Sequence, residues 1–421
     1  MMKRILWIGV LLMTAVATAR AADVAATKGA SATQGAFKPV ACELDLIPFI
    51  SAVAAGGIAE GSAAKDSAVL TARALVGQAA AGDQKVKFSI ALDFSSPEAK
   101  EADLLYVDFL GEGKFSKDNA VKLTKGAPPS KAIEYMGEFG GTVQAQRGDM
   151  TYPIVVQGVV MRMGKAHQVV LCFARAVEGG CDFGGKSHLV RLVDGTGNSR
   201  FDDAGKVDPK SMGNGLADVV LVDVGDGTFK SCLKAWYGQP ILVDGKWYTL
   251  TASADGSTVS AQPTEIKSGL LGITPGNCEL TLVSDSKPYL VTASGPMPAG
   301  QYKVMYLKEF TQSDPQGKRG WLLAGFVDFI TKPDEAKLVT VQEGKTAELA
   351  LGSPLSAELT VKVTGQDVAF SLAAPKTQAG LSVAMMAPPG AAMPFRQIEP
   401  PKVQILDQAG KLVETISMEF G

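Results

Sequence analysis

Hydrophobic residues recur along this chain with a period of two far more often than with a period of 3.6. Val86, Phe88, Ile90 and Leu92 alternate with Lys87, Ser89 and Ala91, the pattern of a strand with one buried face. Similar β-rich runs occur at Ile154–Met163, Val169–Ala176, Leu359–Val363 and Val368–Leu372, separated by clusters of Gly, Pro, Asn and Asp that signal turns. One stretch departs from this pattern. In the Ala-rich segment 51–81, Ser67–Gln78 reads as a short helix with Asp66 near its start, because alanine is the strongest helix former. The expected fold is mainly all-β: antiparallel, hairpin-rich sheets, a C-terminal β-sandwich, and a short Ala-rich helical segment near the N-terminus.

An internal repeat marks the middle of the chain. LLYVDFLGEGKF ends at Phe115, LVRLVDGTGNSRF at Phe201 and VVLVDVGDGTF at Phe229. In each copy an apolar run closes on Val-Asp (Asp108, Asp194, Asp223), a Gly-bearing turn follows, and a Phe ends the unit. This reads as a strand, a tight turn and a return strand whose Phe packs beneath the hairpin. GKWYTLTASADGSTV adds a further hairpin signal at Asp255-Gly256. Gly and Pro concentrate at Pro263–Asn277, which reads as a domain boundary. The expected domains are an Ala-rich segment 22–83, a repeat-containing β region 84–265, and a β-sandwich-like domain 278–421 that closes in a hairpin turning at Gln408-Ala409-Gly410. Within the last domain, Pro298-Ala299-Gly300-Gln301-Tyr302-Lys303-Val304 resembles the turn-then-strand of transthyretin-like modules of the carboxypeptidase regulatory-like family. That resemblance implies a sandwich and carries no activity with it. As a whole the chain resembles exported β-rich bacterial proteins with Asp/Asn/Gly turn repeats.

Composition and charge narrow the function classes. With 41 Lys+Arg against 43 Asp+Glu and no block of like charge, no footprint for nucleic acid or an anionic membrane is present. Lys3 and Arg4, the apolar run Ile5–Val16 and the overlapping A-x-A sites at 17–19 and 19–21 have the layout of a cleavable secretory signal over residues 1–21. The alternative, an uncleaved anchor, is disfavoured because that run is too short to span a bilayer. No later stretch reaches 18 uninterrupted apolar residues, so no transmembrane helix is expected in the mature chain. A periplasmic or extracellular location follows. The five cysteines (Cys42, Cys172, Cys181, Cys232 and Cys278) leave one unpaired in any scheme. Cys172 and Cys181 flank Glu178-Gly179-Gly180, where a hairpin would bring them together; otherwise they are small buried side chains.

Candidate chemistry is sparse. Residues 180–187, GCDFGGKS, fit the phosphate-binding pattern G-x-x-x-x-G-K-S. A strand-like run rather than a helix follows Ser187, so a Gly-rich hairpin is the better reading and no nucleotide is expected. Asp194, Thr196, Asn198 and Asp202 occupy alternating positions of a turn, an oxygen-only set of the kind Ca²⁺ requires. Ser199 and Gly205 depart from the calcium-loop pattern, and Asp or Asn in such turns also serve simply to hold the backbone. His167 and His188 are the only imidazoles, and no nucleophile–base signature accompanies them. Met385, Met386 and Met393 border a Pro/Gly stretch, where packing outweighs Cu(I) binding as an explanation. Trp236, Tyr237, Trp247 and Tyr248 read as hairpin core before they read as a sugar or peptide platform. The sequence thus points to an exported non-catalytic binding or structural protein of the cell envelope, with an unidentified envelope or extracellular ligand. An extracytoplasmic hydrolase acting on a polymer is the alternative.

Overall fold

The computed structural model describes residues 36–48, 53–59, 69–81, 86–109, 114–126, 133–147, 149–207, 217–225, 227–313, 319–365, 367–373, 375–387 and 402–417. The expected signal segment lies outside them. The fold is all-β, mostly antiparallel, as the period-two pattern predicts. Among the described residues no helix is long and apolar enough to cross a membrane.

After a short strand β1 (Lys38–Val40), the chain builds a meander of β2 (Val53–Ala59), β3 (Leu75–Ala81), β4 (Val86–Asp93), β5 (Leu104–Val107), β6 (Ala120–Lys122), β7 (Thr124–Lys125), β8 (Tyr135–Arg147), β9 (Met150–Met163) and β10 (Ala166–Ala174). The order across the sheet is β6-β5-β4-β3-β2-β10-β9-β8-β7. Its two end strands are halves of one stretch separated only by Leu123: Ala120–Lys122 pairs with β5, and Thr124–Lys125 pairs with β8. The sheet therefore closes on itself. Eight strands in sequence order, with β10 returning to β2, make an up-and-down barrel without a free edge. Barrels of this size are just wide enough for side chains to fill. Ile58, Phe88, Ile90, Leu92, Leu105, Val107, Phe139, Ile154, Val156, Leu171 and Phe173 are all buried and belong to one core. On β8 the outward positions include Glu138, Thr142, Gln144 and Gln146. Met136, Val159, Met161 and Val170, which alternate with those inward residues on β8, β9 and β10, form a separate apolar cluster on the outer side of the wall.

Tight coiling dictates where glycine must stand. A Cβ on Gly158 would lie 2.2 Å from the carbonyl oxygen of Val170 and 2.5 Å from the Phe139 ring, so only a residue without a side chain allows β9 and β10 to bend together there. The same demand overturns the helix expected at Ser67–Gln78. Of that segment, residues 69–78 are described, and the part from Leu75 onward is strand β3, paired on both sides. Pairing within the closed sheet overrides alanine's helix propensity.

Arg175 separates β10 from β11 (Ala176–Asp182), so the chain leaves the barrel and enters a second sheet without a turn. That sheet has the order β1-β11-β12-β13-β14, with β12 (Ser187–Val193), β13 (Val219–Asp223) and β14 (Cys232–Trp236). Over one face lies a three-stranded sheet of β15 (Ile241–Val243), β16 (Lys246–Ala252) and β17 (Val259–Pro263). Phe183 and Tyr248 meet edge to face between the two layers, with ring centroids 5.1 Å apart. The expected hairpins at 183–186 and Asp255-Gly256 are both present. The segment Glu178–Gly180 is not a turn; it lies within β11. Cys172 and Cys181 thus sit in different sheets of an extended run, and none of the five cysteines is in a disulfide. Nine residues of strand span about 30 Å, which rules out the bridge considered from the sequence.

A second sandwich follows. One layer contains β18 (Ser268–Thr274), then, after β19 (Cys278–Ser284) and β20 (Lys287–Val291) of the other layer, β21 (Gly295–Pro298). The other layer continues with the long β22 (Gly300–Ser313), β23 (Arg319–Ala324) and β24 (Leu338–Val341), and β25 (Thr346–Ala350) returns to pair with β18. Leu280, Leu282, Val304, Leu307, Leu322, Leu349 and Leu351 fill the space between. This unit starts at Ser268, ten residues before the expected boundary at Cys278; the expected boundary between 83 and 84 falls inside the barrel, because β2 and β3 of the Ala-rich segment are two of its strands, and Arg175 separates the barrel from the first sandwich. Two hairpins stand outside both cores: β26 (Leu359–Thr364) with β27 (Asp367–Leu372), and, beyond the edge strand β28 (Val383–Ala387), β29 (Lys402–Leu406) with β30 (Leu412–Ser417). The last of these turns at Asp407–Lys411, where the sequence places it. The two sandwiches are tied together by Gln239, whose amide accepts from the N–H groups of Trp236 and Leu290 and donates to the Leu290 carbonyl.

Candidate functional site

The strongest polar cluster is built on the second repeat copy, at the junction of barrel and first sandwich. β12 ends at Val193, and the next residue, Asp194, is fully buried. Its carboxylate accepts from the loop it opens: Oδ1 from the N–H groups of Gly197 (2.6 Å) and Asn198 (3.2 Å), and Oδ2 from that of Ser199 (2.8 Å). Arg175 completes the set, donating from Nη2 to Oδ2 at 2.6 Å, with side chains 1% and 0% exposed. The guanidinium also donates to Ser199 Oγ and to the carbonyl of Phe109, next to the first repeat's Asp108. One buried cation therefore joins the turn of the barrel repeat to the turn of the sandwich repeat.

The four residues expected as Ca²⁺ ligands are only partly brought together. Thr196 donates to Asp203 Oδ2 (2.9 Å), and Asn198 does so through its amide nitrogen (2.6 Å). Asp202 instead turns outward and pairs with Arg200 at 2.7 and 3.0 Å. The carboxylates that join Asp194 at the loop are Asp203 and Asp218. Asp218 accepts from the N–H groups of Gly195 (3.0 Å) and Asp203 (2.7 Å), closing the base of the turn. Burial, and then the nearby charge of Asp194, push its carboxyl well above the usual carboxylate range. Among the described residues no group of three or more His, Cys, Asp or Glu side chains is arranged to hold a metal ion.

The third copy repeats this chemistry without the arginine. Asp223 Oδ1 accepts from Gly225 (2.9 Å) and Gly227 (3.0 Å), and Oδ2 from Phe229 (2.7 Å). Here the return strand is β14, and Phe229 is buried beneath the Arg191 guanidinium, 4.1 Å from its ring centroid. Phe201 is equally buried but is followed by irregular chain, and it packs against the turn at Gly256 instead of its own hairpin. In the first copy Asp108 is buried, while residues 110–113 lie outside the described chain.

The remaining sequence candidates are dispersed. His188 engages the Asp223 carbonyl through Nδ1 (3.1 Å) and Asp244 through Nε2 (2.9 Å). Hydrogen bonds from His188 and Lys186 hold the Asp244 carboxyl below its usual range. His167 lies in the barrel wall on β10, opposite Ile58 and Arg162. Trp236, Tyr237 and Tyr248 are buried and Trp247 is half-buried, so the aromatic residues are core and do not form an open platform. Gly184 and Gly185 of the phosphate-loop-like segment form a hairpin tip at positive φ, and Ser187 opens a strand. Met385 and Met386 lie on β28, while Met393 falls outside the described residues. Arg175, Asp203 and Asp218 were not singled out from the sequence. The available signal was a lone arginine inside the apolar run Val169–Val177, since a charge buried in a strand requires a partner.

No protein-family model matches this sequence, and neither a curated protein nor a solved structure matches it.

Proposed function

We propose that this chain is an exported, non-catalytic structural or binding protein of the cell envelope. The observation that carries the reading is where its carboxylates go. Asp194, Asp218 and Asp223 spend both oxygens on backbone N–H groups, and the buried Arg175 is spent on Asp194 and two further turn acceptors. A general acid or base must reach a substrate proton; these groups instead hold strands in place. A filled barrel and two sandwiches in series provide a rigid body, and its location rests on the signal-like segment 1–21. The alternative is an extracytoplasmic hydrolase. A screen of the purified mature chain against glycosidic, ester and peptide substrates tests between them. The expected result is no turnover, and hydrolysis abolished by a single exposed-carboxylate substitution overturns it.

Calcium is the second reading for the Asp194 turn, favoured by the approach of Thr196 to both Asp203 and Asp194 (2.9 and 3.4 Å). It requires Asp194 to exchange donors it already has for a cation that Arg175 repels. Protein groups alone hold the turn in the reading preferred here.

A further inference from the structure

His188 stands on β12 between two groups that can only accept a hydrogen bond. Nδ1 lies 3.1 Å from the Asp223 carbonyl oxygen at the end of β13, and Nε2 lies 2.9 Å from Asp244 Oδ2 in the β15–β16 turn. Hydrogen bonds from His188 and Lys186 hold the Asp244 carboxyl below its usual range, so it is an ionised acceptor at neutral pH. A neutral imidazole has one N–H and one lone pair and can donate to one of these partners; the imidazolium donates to both. The ring is buried, and a lone pair left facing an oxygen there has little water to relieve it. The other charged and titratable groups around it are already engaged. Lys186, from the β11–β12 loop, approaches both Asp244 oxygens at 3.1 and 3.0 Å. Asp182 accepts from the Gly185 N–H, and the Asp223 carboxylate is turned to Gly225, Gly227 and Phe229. Cys181 lies opposite His188 in the register, and burial pushes its thiol up to about 11. Phe183 meets His188 edge to face on one side and Tyr248 of β16 on the other.

We propose that His188 is a pH-operated clasp between the two layers of the first sandwich. Doubly protonated, it ties the end of β13 to the β15–β16 turn; loss of one proton releases one of the two. Asp244 is the partner that yields, because at 45% exposure it can turn to water and to Lys186, whereas Asp223 is 5% exposed. Histidine is the side chain whose charge ordinarily changes between about pH 5 and 8, so the clasp is closed in mild acid and opens as pH rises through that range. At much lower pH, protonation of Asp244 removes the charge that the imidazolium and Lys186 hold, and its share of the stabilisation is lost as pH falls through its lowered value. The closed state therefore occupies a window between the two titrations. This device goes beyond the structural or binding role proposed above, since it makes the interlayer contact of Phe183 and Tyr248 responsive to ambient pH.

The chain has two histidines, which makes the test direct. With nitrogen-15-labelled histidine in the purified chain, long-range proton–nitrogen spectra between about pH 5 and 8.5 report which ring nitrogens carry protons. Asp244→Asn shifts the His188 signal and so assigns it. Hydrogen exchange, expressed as protection factors, follows the amides of Val243–Tyr248 against those of β13. His188 should hold protons on both nitrogens at the acid end and on Nδ1 alone at the alkaline end. Protection over Val243–Tyr248 should fall about 10-fold across the same range, the weight of one charged hydrogen bond at a partly exposed site, while β13 keeps its protection. Gln at position 188 cannot change charge, so His188→Gln should show low protection at both ends. Asp244 sits at φ 48°, which asparagine tolerates. Its amide accepts from the imidazolium or, flipped, donates to a neutral Nε2, so Asp244→Asn should keep high protection without a pH step. If His188→Gln does not fold, Asp244→Asn decides. A His188 that keeps one protonation state throughout overturns the proposal. So does a wild-type protection step that is absent, or one that survives in either variant.

Discussion

Two aspartates in like turns differ in one respect that sets their energetic weight. Asp223 is held by three amide donors, whereas Asp194 has three amides and a buried guanidinium. Arg175→Met leaves the Asp194 charge buried without its cation, which should cost about 3–5 kcal/mol. Asp223→Asn replaces one acceptor by a donor facing amides, and about 1–3 kcal/mol is expected. Urea unfolding of the two variants checks the order, and equal losses would show that Arg175 is not the keystone. The aspartates were legible in the sequence as a repeat; their partners were not. Spacing along a chain shows that Asp194 begins a turn, but only the passage of β10 into β11 brings Arg175 to it. The cysteines illustrate the same limit. Burial lifts Cys172 and Cys278 to about 12 and Cys181 to about 11, so at pH 8 their thiolate fractions are at most about one in a thousand. Iodoacetamide should label none of these three rapidly in the native protein and all five cysteines after denaturation. A Cys172–Cys181 disulfide found by mass spectrometry would contradict the strand path.

At the scale of elements, the closed barrel makes a contrast between two glycines in adjoining strands. A Cβ on Gly158 meets the backbone of β10, while one on Gly141 meets nothing within 4 Å. Gly158→Ala should therefore destabilise by about 1–3 kcal/mol or more through overpacking. Gly141→Ala should be neutral or stabilise by up to about 1 kcal/mol, because it restricts only the unfolded chain. Similar losses at both positions, measured by thermal or urea unfolding, would argue against a tightly coiled barrel. The alternation at Val86–Leu92 foretold a strand there, and the turn residues foretold the hairpins at 183–186, Asp255-Gly256 and Gln408–Gly410. Closure was not foretold. It depends on Ala120–Lys125 pairing with β5 through one half and β8 through the other, a relation between residues remote in sequence. The misread helix at Ser67–Gln78 has the same origin, since β3 is a strand because of its two neighbours.

Across the whole molecule, buried polar contacts weld units that composition alone would leave as beads on a string. Arg175 joins barrel to first sandwich. Gln239 joins the two sandwiches, together with the Lys234–Glu279 pair at 3.0 Å. A chain so committed to its own cohesion suits a structural or binding role, and its central device is the Asp turn closed by protein groups. The most direct test is a thermal melt of the chelator-stripped mature protein with and without Ca²⁺. Extracellular calcium modules often have dissociation constants of about 0.1–1 mM, so about 10 mM Ca²⁺ would stabilise a true site by roughly 1.4–2.7 kcal/mol, a rise of several degrees. Superimposable melts are predicted, with Arg175→Met lowering the midpoint equally in both conditions. A calcium-dependent rise that disappears in Asp194→Ala would contradict the account and make the turn a metal site.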